Sequence, residues 1–232
     1  MPELPEVETI RRALQQGGRG GAAIIGWQVQ KADILWDRLL ATENKNFFLE
    51  AICGQKVISV NRRAKFLDIV LDHHHLIFHL RMSGDIRVEE FQQPIQKHDR
   101  LLLVFENGFR LVFNDTRKFG RIWFVEDPQE IWANLGPEPF DESLTSDSFF
   151  KRLQRKKCKI KPLLMDQSFL AGLGNIYTDE ALFQAKIHPL RNSDSITVLE
   201  ADTLLLAIRD RLTEGIIRNG SSIDWVYRGG SF

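Results

Sequence analysis

The sequence predicts an α+β protein: an N-terminal antiparallel β-sandwich flanked by an N-terminal helix, followed by an α-helical domain. Three observations carry this. Between residues 56 and 125, short apolar runs recur at close spacing with polar turns between them, the pattern of two packed antiparallel sheets. Past residue 146 the apolar spacing becomes helical: Phe149, Phe150 and Leu153, then Ile176, Ala181 and Leu182, then Leu199, Leu204, Leu205, Ile208, Leu212, Ile216 and Ile217 along one long helix. Between the two halves lies Asn134-Leu135-Gly136-Pro137-Glu138-Pro139, turn-rich and acidic. The expected boundaries are therefore 1–130 for the sandwich domain, 131–146 for a linker and 147–232 for the helical domain.

In chain order, Pro5 suits the first position of a helix, Glu6 and Glu8 sit on its positive end, and Val7, Ile10 and Leu14 share one face. That face must pack against the edge of the sandwich. Gly17-Gly18-Arg19-Gly20-Gly21 breaks the helix. Strands are expected over 23–30, 56–62, 66–71, 76–81, 101–105, 109–113 and 122–125, with a short helix around 46–52 stopped by Gly54. Val57, Ser59 and Asn61 alternate with Ile58, Val60 and Arg62, and Asn107-Gly108 between two apolar runs signals a hairpin. His73-His74-His75 reads as a polar turn, since three consecutive residues cannot converge on one metal from a strand. The tail from Asn219 to Phe232 reads as loop.

With 232 residues the chain suits two modest cores better than one. No stretch of about eighteen apolar residues exists, and the acidic, proline-bearing start is no signal peptide, so a soluble, cytoplasmic chain without membrane partners is expected. Cys53 and Cys158 lack the paired spacing of a metal or redox site and are expected to be structural. The formal net charge of zero argues against a surface that binds nucleic acid everywhere. Local clusters at Arg62-Arg63-Lys65, at Arg117-Lys118-Arg121 and from Lys151 to Lys161 instead suit a grip on DNA over one face.

The chemistry starts at Met1-Pro2-Glu3. A small second residue favours removal of the initiator methionine, leaving a proline secondary amine beside a carboxylate. An α-amine titrates roughly two to three units below a lysine ammonium, so part of it is nucleophilic near neutrality. Attack by a secondary amine on a sugar C1′ yields a cationic iminium that can drive elimination, and Glu3 could carry protons for it. An ordinary helix start explains the same residues. The whole string Met1-Pro2-Glu3-Leu4-Pro5-Glu6-Val7-Glu8-Thr9, however, closely resembles the opening of the bacterial formamidopyrimidine-DNA glycosylases, repair enzymes that excise oxidised purines; their endonuclease VIII relatives depart from it at the fourth and following residues.

Three further motifs extend the resemblance along the chain. Asn61-Arg62-Arg63-Ala64-Lys65-Phe66-Leu67 is a solvated basic edge on charge alone, but it resembles the family's second motif, which implies that Lys65 contacts phosphate and supports β-elimination. Leu80-Arg81-Met82-Ser83-Gly84 and Asn114-Asp115-Thr116-Arg117-Lys118-Phe119-Gly120 resemble the void-filling loops, with Thr116 where the family usually has proline. The resemblance implies that Met82 fills the space of an everted base, Phe119 wedges between base pairs and Arg117 bonds the orphaned partner base. It also sets His98 against DNA. Ala171-Gly172-Leu173-Gly174-Asn175-Ile176-Tyr177 offers a helix N-terminus to an anion. That string resembles the family's helix-two-turn-helix motif, in which Asn175 and backbone amides clamp phosphate, with Lys157, Lys161 and, more weakly, Tyr177 as further contacts.

The resemblance thus implies a bifunctional DNA glycosylase and AP lyase acting on 8-oxoguanine or formamidopyrimidines in double-stranded DNA. Pro2, Glu3 and Lys65 would be its catalytic residues, and it would act as a monomer. The family continues into a zinc ribbon with two Cys-x-x-Cys pairs, which this chain lacks, so no metal site and no cofactor are expected in it. Stopping inside a loop fits a truncated form, with a natural ribbon-less variant as the alternative. Two other functions remain open: an endonuclease VIII-like enzyme for oxidised pyrimidines, and a DNA-binding module without turnover. A structural helix-two-turn-helix protein of the ribosomal kind would leave residues 1–130 unexplained.

Overall fold

The computed structural model of the chain describes residues 1–41 and 44–221. Helix α1 (Leu4–Gln16) opens it, with Pro5 in its first turn and the Glu3 N–H donating to Glu6 Oε2 at 2.8 Å. Then follow β1 (Val29–Ile34), α2 (Lys45–Ala51), β2 (Val57–Arg63), β3 (Phe66–Leu71), β4 (His75–His79), β5 (Gly84–Glu90), β6 (Asp99–Phe105), β7 (Phe109–Asp115) and β8 (Arg121–Val125). The strands form two four-stranded antiparallel sheets, ordered β1-β6-β7-β5 and β2-β3-β4-β8, as expected of a sandwich. The helical half comprises α3 (Gln129–Trp132), α4 (Ser146–Gln154), α5 (Ile160–Met165), α6 (Asn175–Gln184) and α7 (Val198–Ile217). Side-chain caps start α4 and α7: the Thr145 hydroxyl accepts from the Ser148 N–H, and Thr197 forms a capping box with Glu200.

Two apolar cores result. One lies between the sheets and takes Val7, Ile10 and Leu14 from α1; the other, among the helices, takes Leu4 from the same helix. Helix α1 therefore bolts the two halves together, and its first residues lie where they meet. Among the described residues no helix is long and apolar enough to cross a membrane.

The elements depart from expectation in four places. The strand expected over 23–30 begins only at Val29, because Gly26 adopts φ +82° and the Trp27 N–H closes a turn onto the Ile24 carbonyl. Strand β5 was hidden by its charges: Ile86 and Val88 face the core, while on the other face Arg87 reaches Asp99 on β6, across the intervening β7, and Glu89 reaches Arg110 on β7. The basic cluster from Lys151 to Lys161 is divided between two helices and the loop joining them, since α4 ends at Gln154 and α5 starts at Ile160. Cys53 and Cys158, expected to be structural, are exposed free thiols, Cys53 in the turn after α2 and Cys158 in the loop between α4 and α5. Most of the tail expected as loop, residues 222–232, lies outside the described residues.

Candidate active site

The N-terminus lies directly on the glycine-asparagine turn. Pro2 is buried, Met1 is exposed, and the Leu4 N–H donates to the Gly172 carbonyl at 3.1 Å. The Glu3 side chain reaches into the start of α6, where its carboxylate accepts from the N–H groups of Gly174 at 2.6 Å, Ile176 at 2.8 Å and Tyr177 at 3.4 Å. These are amides that the first helical turn leaves without intrahelical partners, and the helix dipole favours an anion there. The glycines make room for it. Gly172 holds φ +113°, and a Cβ on Gly174 would sit 2.5 Å from Glu3 Cδ and 2.6 Å from its Oε1. The sequence marks this turn as an anion site, and the anion that fills it in the structure is Glu3 of the same chain, so these amides are not open to a phosphate.

Glu6, one turn along α1, gathers the next set of contacts. It accepts from the Glu3 N–H, from the Tyr177 hydroxyl at 3.0 Å and from the Ser221 N–H at 2.8 Å, just past the end of α7. Tyr177 is wholly buried, so the DNA contact expected of its side chain is replaced by a core role: its ring fills the helical core and its hydroxyl is spent on Glu6.

Lys65 comes from the opposite side. Arg63 and Phe66 are paired across β2 and β3, leaving Ala64 and Lys65 as a two-residue turn with Ala64 at φ +54°. The side chain is 4% exposed, and burial draws its ammonium down to about 8, against the pull of Glu3 and Glu6, which raises it. Burial likewise pushes the Glu3 carboxyl above the usual range, against the opposing influence of Lys65 and of the α6 amides. Buried beside them, His79 is held down to about 3 by desolvation and by Arg81 and Lys65; its Nδ1 accepts the Arg81 N–H at 3.0 Å, so the ring is neutral.

Residues that sequence reasoning missed hold these groups in place. Glu138, in the linker, accepts from Arg62 at 2.6 Å, from Arg63 at 2.9 Å and from the Ala64 N–H at 2.9 Å, while Arg63 also reaches the Gly136 carbonyl. It thereby moors the turn that carries Lys65 to the segment joining the domains. Its acidity gave no local signal, because the partners are over seventy residues away in sequence. Asp115, fully buried, accepts from the Ser83 hydroxyl, from the Arg117 N–H at 3.2 Å and from the Gly120 N–H at 2.7 Å.

The remaining candidates are exposed or half-buried. Met82 and Phe119 are 41% and 47% exposed, and the Arg117 guanidinium lies 5.1 Å over the Phe119 ring. His98 is half-buried, its Nδ1 facing Arg100 Nη2 at 3.2 Å, and Arg100 in turn donates to the Asp115 carbonyl. Asn175, the first residue of α6, and Lys157, between α4 and α5, are exposed; Lys161 is half-buried and paired with Asp179 at 2.8 Å.

Residues 1–122 match the model of the formamidopyrimidine-DNA glycosylase N-terminal domain, and residues 135–226 that of the formamidopyrimidine-DNA glycosylase H2TH domain. The chain belongs to the formamidopyrimidine-DNA glycosylase family. It is 44% identical over 228 residues to the formamidopyrimidine-DNA glycosylase of Herpetosiphon aurantiacus, a match covering 96% of this chain and 81% of the relative. The fold superposes on Lactococcus lactis Fpg in complex with DNA containing an abasic site, with a TM-score of 0.90, 33% identity and coverage of 99% of this chain and 85% of that one. MutM in complex with DNA containing carbocyclic 8-oxo-G matches with a TM-score of 0.90 and 35% identity, over 98% of this chain and 84% of that one. This formamidopyrimidine-DNA glycosylase family member is thus a DNA glycosylase of base-excision repair, with a helix-two-turn-helix second half. The zinc ribbon implied by the resemblance finds no ligand set among the described residues: no group of three or more His, Cys, Asp or Glu could hold a metal, and Cys53 and Cys158 lie in different halves of the chain.

Proposed function

We propose that this chain is a bifunctional DNA glycosylase and AP lyase that removes oxidised purines through a Schiff base on Pro2. One observation carries the reading. Immediately beside Pro2, a buried carboxyl whose hold on its proton is raised by burial faces a buried ammonium pulled down to about 8, a pairing suited to passing protons at the sugar. With Met1 removed, the Pro2 nitrogen is a free secondary amine. It attacks C1′ of the everted nucleotide, a C1′–N bond forms, and the glycosidic bond breaks with its electron pair leaving on the base, which takes up the proton shed by the Pro2 nitrogen. The C1′–O4′ bond then opens, Glu3 supplies the proton to O4′, and the product is an iminium. Neutral Lys65 takes a proton from C2′, and the electrons expel the 3′ phosphate, cutting the strand.

The exposed and half-buried candidates suit double-stranded DNA laid over the junction of the two halves. Asn175, Lys157, Lys161 and His98 would meet the phosphates, and Met82, Arg117 and Phe119 the gap left by the everted base. The protein would act as a monomer, with no cofactor in this chain.

The test is a nicking assay on duplex carrying 8-oxoguanine opposite cytosine, run beside a gel shift and a panel of oxidised pyrimidines. Cleavage at the oxidised purine is expected. A shift without cleavage would instead make the chain a DNA-binding module, and cleavage confined to oxidised pyrimidines would make it endonuclease VIII-like.

A further inference from the structure

Met82 and the Arg117–Phe119 pair stand on separate turns, one between β4 and β5 and one between β7 and β8, more than thirty residues apart. The structure nevertheless builds the two turns onto a single support. The Ser83 hydroxyl, 3% exposed, donates to the Asp115 carboxylate and accepts the Arg117 N–H at 3.0 Å. The other Asp115 oxygen accepts the Gly120 N–H at 2.7 Å. A glycine in each turn also closes on the same ring: a Cβ on Gly84 would lie 2.9 Å from Phe113 Cε2, and one on Gly120 would lie 2.5 Å from Phe113 Cζ. Each turn further contains a non-glycine residue in the left-handed region, Arg81 at φ +55° and Lys118 at φ +60°. Such a conformation persists only where the surroundings impose it; the shared carboxylate and ring hold the residues next to these positions, Ser83 and Gly84 in one turn and Arg117 and Gly120 in the other.

We propose that Ser83 and Asp115 are positioning residues that clasp the two turns into one body, so that Met82, Arg117 and Phe119 enter the duplex in a single concerted step. Neither Ser83 nor Asp115 faces solvent, so neither touches DNA itself. Their effect is on timing: a side chain that enters one strand brings the side chains meant for the other strand with it. The inference rests on the reading that Met82 and Phe119 enter the stack, and it adds that they do so together.

Two lesion duplexes in a stopped-flow fluorimeter separate these statements. One carries 2-aminopurine beside 8-oxoguanine, the other carries it beside the opposite cytosine. With the wild-type protein both probes are expected to change with one shared rate constant. In Ser83→Ala, which removes the hydroxyl's bonds to Asp115 and to the Arg117 N–H, the two rates are expected to part by about fivefold or more. Ser83→Thr, which keeps the hydroxyl, is expected to bring them back together. Probes that still share one rate in Ser83→Ala, or that already differ in the wild type, would overturn the clasp while leaving insertion intact. If neither probe responds with the wild-type protein, it is insertion itself that fails, and the clasp with it.

Discussion

Replacing Lys65 by methionine is expected to make the folded protein more stable at neutral pH while slowing strand cleavage. The ammonium lies in a site that draws it from an ordinary 10.5 to about 8. At about 1.36 kcal/mol per unit, a buried charge held that far down costs the fold on the order of 3 kcal/mol wherever the folded protein keeps the proton. The sign follows from proton counting. Below about pH 8 both states bind the proton and the cost is fully present. Between about 8 and 10.5 the unfolded chain binds it and the folded protein does not, so stability gained from Lys65 deprotonation rises by about 1.4 kcal/mol per pH unit. Above 10.5 the cost has gone. Urea unfolding of wild type and Lys65→Met at matched pH reads this group together with its influence on Glu3 and His79, and cancels the titrations that Lys65 does not touch. The variant is expected to be more stable by about 3 kcal/mol at pH 7, with the difference vanishing as the pH climbs past lysine's ordinary value. A difference that stays constant with pH, or a variant less stable at pH 7, would refute the reasoning.

Other substitutions test separate parts of the site. Gly174→Ala places a Cβ 2.5 Å from Glu3 Cδ and must push the carboxylate off the α6 amides; with charge-assisted bonds worth about 1.5–3 kcal/mol each, a loss of about 3 kcal/mol in urea unfolding is expected, together with slower excision from a lesion duplex. Tyr177→Phe removes the donor to buried Glu6 and is expected to cost about 1–3 kcal/mol of stability with DNA affinity unchanged in a binding titration; a weakened affinity with normal stability would restore Tyr177 as a DNA contact. Glu138→Ala takes the shared carboxylate from Arg62, Arg63 and the Ala64 N–H, leaving Arg62 on Glu8 and Arg63 on the Gly136 carbonyl, so about 3 kcal/mol of destabilisation is expected, with faster hydrogen exchange at Ala64.

The sandwich is legible in the sequence where one face of a strand is apolar and the other merely polar, as in Val57 to Arg62. It fades in β5, where charges occupy the outward positions and Gly84 suggests a turn; the residues that justify those charges, Asp99 and Arg110, stand on other strands and leave no local trace. The apolar run Ile24-Ile25 misled for the opposite reason. Hydrophobicity is satisfied there by burying Ile24 from a turn, and the more polar Lys31 to Ile34 does the pairing.

At the site, the glycine-asparagine turn announces an anion because open amides at a helix start always favour one. Which anion fills it is a tertiary fact, and Glu3 comes from the other end of the chain. Tyr177 shows the same limit: its place in the string says nothing about the carboxylate waiting across the core. Glu138, Ser83 and Asp115 were not marked at all, since each matters through a partner that only folding brings near.

The most direct measurement is borohydride trapping on duplex containing 8-oxoguanine. A covalent adduct that persists with Lys65→Met, but disappears with Pro2→Gly or with Met1 retained, is the result this account requires. An adduct lost with Lys65→Met and kept with Pro2→Gly would move the nucleophile to the lysine and contradict it.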